Sequence, residues 1–118
     1  MYIPKHFEET RTDVLHHLIR SHPFGTLITI CDGEITADHV PFLMEPSGFD
    51  FGTLKCHVSR SNPVWKDMSG NVESLVVFQG PSAYVSPSWY PSKHDHGKVV
   101  PTWNYIVVHA RGVPEVKT

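Results

Sequence analysis

Between Gly52 and Pro63 the chain gathers His57, Ser59, Arg60, Ser61 and Asn62 into one short stretch. A guanidinium offers fixed charge and a planar fork of donors, while hydroxyls and an imidazole offer orienting hydrogen bonds. A helix start just beyond them would add unpaired backbone N–H groups. That mixture suits a phosphate. The same residues also read as a solvated loop whose Ser and Asn cap the next helix, and on residue types alone that reading comes first. Residue types alone leave both readings open.

The nine histidines raise the question of a metal. His94 and His96 flank Asp95, and His16 and His17 are adjacent, yet neither pair sits in a closed ligand pattern. Neighbouring helix residues point about 100° apart, so His16 and His17 do not converge on one ion. His94 and His96 would need a third ligand from elsewhere. No metal is expected. Nucleophilic chemistry is equally thin: there is no Gly-x-Ser-x-Gly elbow. Cys56 and His57 are consecutive, so on a strand they face opposite sides. No catalytic residue is assigned. Tyr84, Trp89, Tyr90, Trp103 and Tyr105 crowd the last third, where they can pack a core or a subunit interface, or border a flat ring. The stretch from Pro87 to Pro101, with Trp89 and Tyr90 between prolines, reads as a loop or lid.

These groups must be positioned by short elements. Val14, Leu15, Leu18 and Ile19 recur at helical spacing and form one apolar stripe, stopped by Pro23. Thr10 or Thr12 can cap this helix, Thr10 with Asp13 as a capping box. Phe24 to Cys31 alternates as a strand and is followed by the hairpin signal Asp32-Gly33. Further strands are expected over 34–44, with Pro41 marking an edge or bulge, and over 49–58. A short helix follows over 61–68, then strands over 75–79, 83–86 and 103–111. One amphipathic helix, a short second one and about six strands, without the crossover helices that parallel βαβ units need, predict a mainly β, α+β fold. The expected architecture is an antiparallel barrel.

A chain of 118 residues, 40% hydrophobic and 11% aromatic, fits one domain over residues 1–118 with a core of its own. Its net charge is −2, and no two Lys or Arg are adjacent. A phosphate backbone gains little from that balance, so any DNA contact would need a local patch, and no helix-turn-helix is visible. Cys31 and Cys56 are expected to be buried, reduced thiols. Without a secretory leader or an apolar run long enough for a bilayer, a soluble cytoplasmic protein with no membrane partner is expected.

Several strings then resemble one family. The opening MYIPKHF, ADHVPF (Ala37 to Phe42), HVSRSNPVW (His57 to Trp65), VVFQGPSAYVSPSWYPSK (Val76 to Lys93) and GKVVPTWNYIVVHARG (Gly97 to Gly112) resemble the PaiB-type FMN-binding negative transcriptional regulators. The resemblance runs along essentially the whole chain. It implies an antiparallel, Greek-key split barrel of the flavin-binding type, with FMN at the interface of a homodimer and a role in repressing transcription. It also implies that His57, Ser59, Arg60 and Asn62 hold the FMN phosphate, and that His39, Val40 and Pro41 run beneath the flavin ring. Lys98, Trp103 and Asn104 fall in a family signature. Relatives in this family continue past the last strand, so the chain is expected to be short at its C-terminus, which bears on FMN occupancy. The alternatives are a flavin-dependent oxidoreductase acting on a small molecule, with His39 or His57 as acid or base, and a cofactor-free barrel used for association.

Overall fold

The first helix, α1, spans Thr12–Ser21 and turns its apolar stripe inward, with His16 and Ile19 buried. Its start differs from the expected capping box. Arg11 flanks the helix and no side chain caps it. Instead the Glu9 carboxylate accepts the backbone N–H groups of Thr10 and Arg11 at 3.1 and 3.3 Å and pairs with the Arg11 guanidinium. Glu9 thus engages the two N–H groups that precede the helix. This structure is a computed structural model and describes residues 1–68, 70–86, 88 and 101–117. The lid expected over 87–101 lies outside those residues except for Ser88 and Pro101, as do Lys98, His94 and His96.

Strands β1 (Phe24–Cys31) and β2 (Glu34–Pro41) form a hairpin in full register, from Phe24 opposite Pro41 to Cys31 opposite Glu34. The turn residues Asp32 and Gly33 have φ of 49° and 78°. Two left-handed residues are what a two-residue hairpin of this twist requires, so the Asp-Gly signal is realised. Pro41 ends β2, the edge strand of its sheet, where a missing N–H costs nothing. The expected single strand over 34–44 therefore breaks at Phe42. The Phe42 N–H bonds to the Pro23 carbonyl at 2.9 Å, and the chain continues as β3 (Leu43–Glu45) in a second sheet. Its partner there is β4 (Thr53–Lys55), all that remains of the strand expected over 49–58. Gly52, at φ +85°, breaks that run immediately before β4.

A short helix, α2 (Val64–Asp67), leads to β5 (Ser74–Val85) and β6 (Thr102–Gly112). The two expected strands on either side of Gly80-Pro81 are one strand, because a register shift between Gln79 and Ser82 absorbs the proline. The larger sheet has the order β2-β1-β5-β6, and every pairing is antiparallel. The fold is thus mainly antiparallel β with an N-terminal helix, of split-barrel type. Its two sheets are not joined into a closed barrel.

Ile19, Leu27, Phe42, Met44, Val76, Phe78 and Val108 make the core. Phe78 is fully buried and meets Phe42 edge to face at 5.5 Å between ring centroids. Alternation along β1 turns Leu27 and Thr29 toward this core and sends Phe24, Thr26, Ile28 and Ile30 to the other face of the sheet. Packing is one-sided, and the molecule is drawn out. Its radius of gyration is 18.2 Å, against the roughly 13–14 Å of a compact chain this long. Cys31 is half-buried and Cys56 exposed, with no disulfide joining them. Cys56 is uncovered because it follows β4, an edge strand in a two-stranded sheet. Among the described residues no helix is long and apolar enough to cross a membrane.

Candidate functional site

The segment from His57 to Pro63 leaves β4 and is held by its own polar groups. Asn62 donates its backbone N–H to the Ser59 carbonyl at 2.9 Å, closing a turn, and Ser59 Oγ accepts the Ser61 N–H at 3.2 Å. The Asn62 side chain is used at both ends. Its Oδ1 accepts the Val64 N–H at 3.0 Å, and its Nδ2 donates to Asp38 Oδ1 at 2.9 Å. The first of these caps α2; the second ties the loop to β2. Trp65 adds a third tie, donating Nε1–H to the Arg60 carbonyl at 3.0 Å.

What this leaves uncommitted is the Arg60 guanidinium, which is exposed and makes no hydrogen bond or ion pair among the described residues. The His57 imidazole and the Ser59 and Ser61 hydroxyls are exposed beside it in sequence. The anion-binding chemistry of the loop therefore rests on a cation and side-chain donors. α2, with four residues, offers little dipole, and Asn62 already takes its first N–H. His57 and Arg60 border an open groove of about 1410 Å³ between the two sheets, whose wall continues through Met44, Val76 and Val108 to residues 111–117. Small-molecule sites usually measure roughly 300–1,000 Å³, so there is room for a ligand and for further polypeptide.

His39, Val40 and Pro41 are divided by the pleat of β2. Asp38 and Val40 are half-buried on the core side, whereas His39 and Pro41 are exposed on the other. On that outer side His39 Nδ1 shares a hydrogen bond with Thr26 Oγ1 at 3.2 Å, and its ring stacks on Phe24 at 6.3 Å between centroids. The structure thus brings Asn62 to β2 through Asp38 and groups His39 with Thr26 and Phe24. Within one copy it does not join those two groups. Trp103 and Asn104 lie on opposite faces of β6, paired with Tyr84 and Ala83.

Asp38 and Thr26 are the neighbours that residue types did not single out. A lone carboxylate at a half-buried strand position is a signal that could have found Asp38, because buried charge calls for a partner. One of its oxygens, Oδ2, is buried without a partner in the described chain. His16 resolves in the opposite direction. It is a buried structural histidine whose Nε2–H donates to the Phe51 carbonyl at 2.7 Å, while His17 is exposed. Among the described residues no three His, Cys, Asp or Glu side chains converge as a metal set. Although Cys56 is exposed as a residue, partial desolvation by its neighbours pushes the thiol above its ordinary range, which disfavours a thiolate nucleophile there. On β6 the His109 imidazole is shifted down, chiefly by desolvation and then by the Met1 amino group and Arg111.

Comparison with known proteins places this geometry in context. The family model described as "Putative FMN-binding domain" matches residues 1–118. Protease synthase and sporulation protein PAI 2 of Bacillus subtilis is 37% identical over 112 residues, which is 95% of this chain and 51% of that protein. An uncharacterized protein of Saccharomyces cerevisiae is 33% identical over 136 aligned positions, covering 98% of this chain and 79% of the yeast protein. Another, from Emericella nidulans, is 33% identical and is covered over 55% of its length. The chain spans about half the length of the bacterial relative.

Proposed function

The chain belongs to this FMN-binding domain family and FMN is its cofactor, and from that premise we propose that it acts as a PaiB-like regulatory protein. The observation that carries the reading is a family match over every residue from 1 to 118. The donor set fits the group. An uncommitted guanidinium at Arg60, with the His57 imidazole and the Ser59 hydroxyl, suits a phosphate monoester. The unpartnered Asp38 Oδ2 suits a hydroxyl donor such as a ribityl chain carries. Asn62 then acts by holding the loop in place, its amide being engaged at both ends. On the outer side His39 and Pro41, beside Thr26, offer a surface for a flat ring. The bound flavin would supply a redox-active centre whose state the protein can report.

Two copies share the flavin in this reading, because His39 and Arg60 lie on different sides of β2 in one copy and a second copy can bring the two surfaces together. The bacterial relative is named Protease synthase and sporulation protein PAI 2, and the role proposed for this chain is regulatory and cytoplasmic. With a net charge of −2, any DNA contact would be local or made through another protein.

The test is a visible titration of the purified protein with FMN, in wild type and Arg60→Ala. A charge-assisted hydrogen bond is worth about 1.5–3 kcal/mol, so Arg60→Ala should weaken binding by roughly 10- to 100-fold without lowering stability. Failure of the wild type to take up FMN would overturn the cofactor assignment. Equal affinity in the two proteins would remove Arg60 from the site.

A further inference from the structure

The smaller sheet stands apart from the larger one. Among the described residues β3 and β4 pair only with each other. Within that set, the hydrogen bonds that reach outside the segment from Leu43 to Val58 all come from α1. His16 Nε2–H donates to the Phe51 carbonyl at 2.7 Å, and an Arg20 guanidinium N–H donates to the Met44 carbonyl at 3.5 Å. The two side chains are four residues apart and leave the same face of the helix. The first bond reaches the turn that enters β4, and the second reaches β3, so one helix face holds both strands.

The peptide between Phe51 and Gly52 is engaged at both its ends. Its N–H donates to the Phe49 carbonyl at 2.9 Å, while its C=O accepts from His16. Gly52 has a φ of +85°, and a Cβ there would run into the Glu45 carbonyl. Glycine imposes no preference of its own on the chain direction, so these two bonds set how β4 leaves the turn. His16 itself is 8% exposed and sits in the inward face of α1. A buried imidazole costs free energy unless its N–H is bonded, and here that bond goes to the turn rather than to the helix.

We infer that α1 sets where the phosphate loop presents Arg60, with His16 as the positioning residue and Arg20 as a second point of hold. This deepens the FMN reading above and rests on Arg60 as the phosphate contact. From Gly52 the chain runs through β4 into His57 and Arg60, and Asn62 then anchors the far end on Asp38. Arg60 is carried between two anchors, α1 before it and β2 after it. Its guanidinium has no bond of its own among the described residues, so its place follows from the backbone that carries it. An N–H···O bond spans about 2.7–3.2 Å, so a loop displaced by about 1 Å loses it. The groups assigned to the rest of the flavin, Asp38, His39 and Pro41, lie on β2 and do not depend on this hairpin. The effect of the helix should therefore fall on the phosphate alone.

Riboflavin is FMN without its phosphate monoester, so the ratio of the two affinities isolates that contact. Fluorescence titration with each flavin, on the wild type, Arg60→Ala, His16→Leu, His16→Gln and the double variant of His16→Leu with Arg60→Ala, tests the inference. Leucine removes the donor and keeps an apolar side chain in the helix; Phe51 is 74% exposed, so its freed carbonyl meets water. Glutamine keeps an amide N–H near the place of Nε2. His16→Leu should lower the FMN-to-riboflavin ratio by roughly 10-fold with riboflavin affinity unchanged, as for one lost hydrogen bond to a charged group. His16→Gln should restore the ratio, and the double variant should match Arg60→Ala. Arg20→Ala, at an exposed position where folding is not at stake, should move the ratio the same way by roughly 2- to 3-fold. A ratio lowered by Arg60→Ala but untouched by both α1 variants would overturn the positioning role alone. So would a further drop in the double variant, since His16 would then act other than through Arg60. An Arg60→Ala ratio equal to wild type would instead bring down the phosphate reading, and this inference with it.

Discussion

Asn62→Ala is the substitution that best separates a structural role from a ligand contact in this loop. Two interactions vanish. Loss of the hydrogen bond from the Val64 N–H removes the cap of α2, worth about 1 kcal/mol. Loss of the bond to Asp38 Oδ1 removes a charge-assisted interaction and leaves both carboxylate oxygens unpartnered, worth about 1.5 kcal/mol or more. The two share one side chain and do not simply add, so the expected cost is about 2–3 kcal/mol. A chain this long loses about 3–5 °C of Tm per kcal/mol, which places the shift at roughly 10 °C. Thermal and urea unfolding would read it. In an Asp38→Ala background the same substitution should cost only the cap, leaving a coupling of about 1–2 kcal/mol between the two residues. Identical costs in the two backgrounds, or a total below about 0.5 kcal/mol, would refute the reasoning. Loss of FMN affinity with stability unchanged would instead make Asn62 a direct ligand contact.

Other substitutions probe the core and the titrating groups. A Cβ at Gly25 would sit 2.9 Å from Phe78 Cε1 and 3.1 Å from Phe42 Cδ2. Because Phe78 is fully buried and one ring of the pair must give way, Gly25→Ala should cost about 1–3 kcal/mol in urea unfolding, and a neutral result would show a looser core. Pairing with Arg11 holds the Glu9 carboxyl at about 2, from an ordinary 4.5. A folded value below the unfolded one means stability that is present above pH 4.5 and lost as pH falls toward 2. Carboxyl NMR should show this low midpoint, and Arg11→Ala should return it to the ordinary range. His109 is likewise shifted down, so the unfolded chain takes up its proton first as pH falls below the ordinary histidine value. His109→Gln should flatten the pH dependence of stability in that window, and an unchanged slope would remove His109 as its source.

What the sequence determined by itself was local and periodic. The stripe Val14, Leu15, Leu18 and Ile19 with Pro23 behind it specifies α1, and the alternation of Phe24 to Cys31 with Asp32-Gly33 specifies the first hairpin. Both depend on side-chain period and turn chemistry, which act over a few residues. The family was also legible, since strings such as VVFQGPSAYVSPSWYPSK are long enough to be specific, and the match over residues 1–118 agrees with them. Tertiary structure decided the rest. Phe42 breaks a continuous apolar run because its ring is needed against Phe78, a partner 36 positions away. Asn62 became a tie because Asp38, 24 positions distant, reached it across the core side of β2. The pleat, not the order of residues, sent His39 to the far side of the sheet from Asp38. Burial and long-range pairing fix which face a residue serves, and no local pattern encodes them.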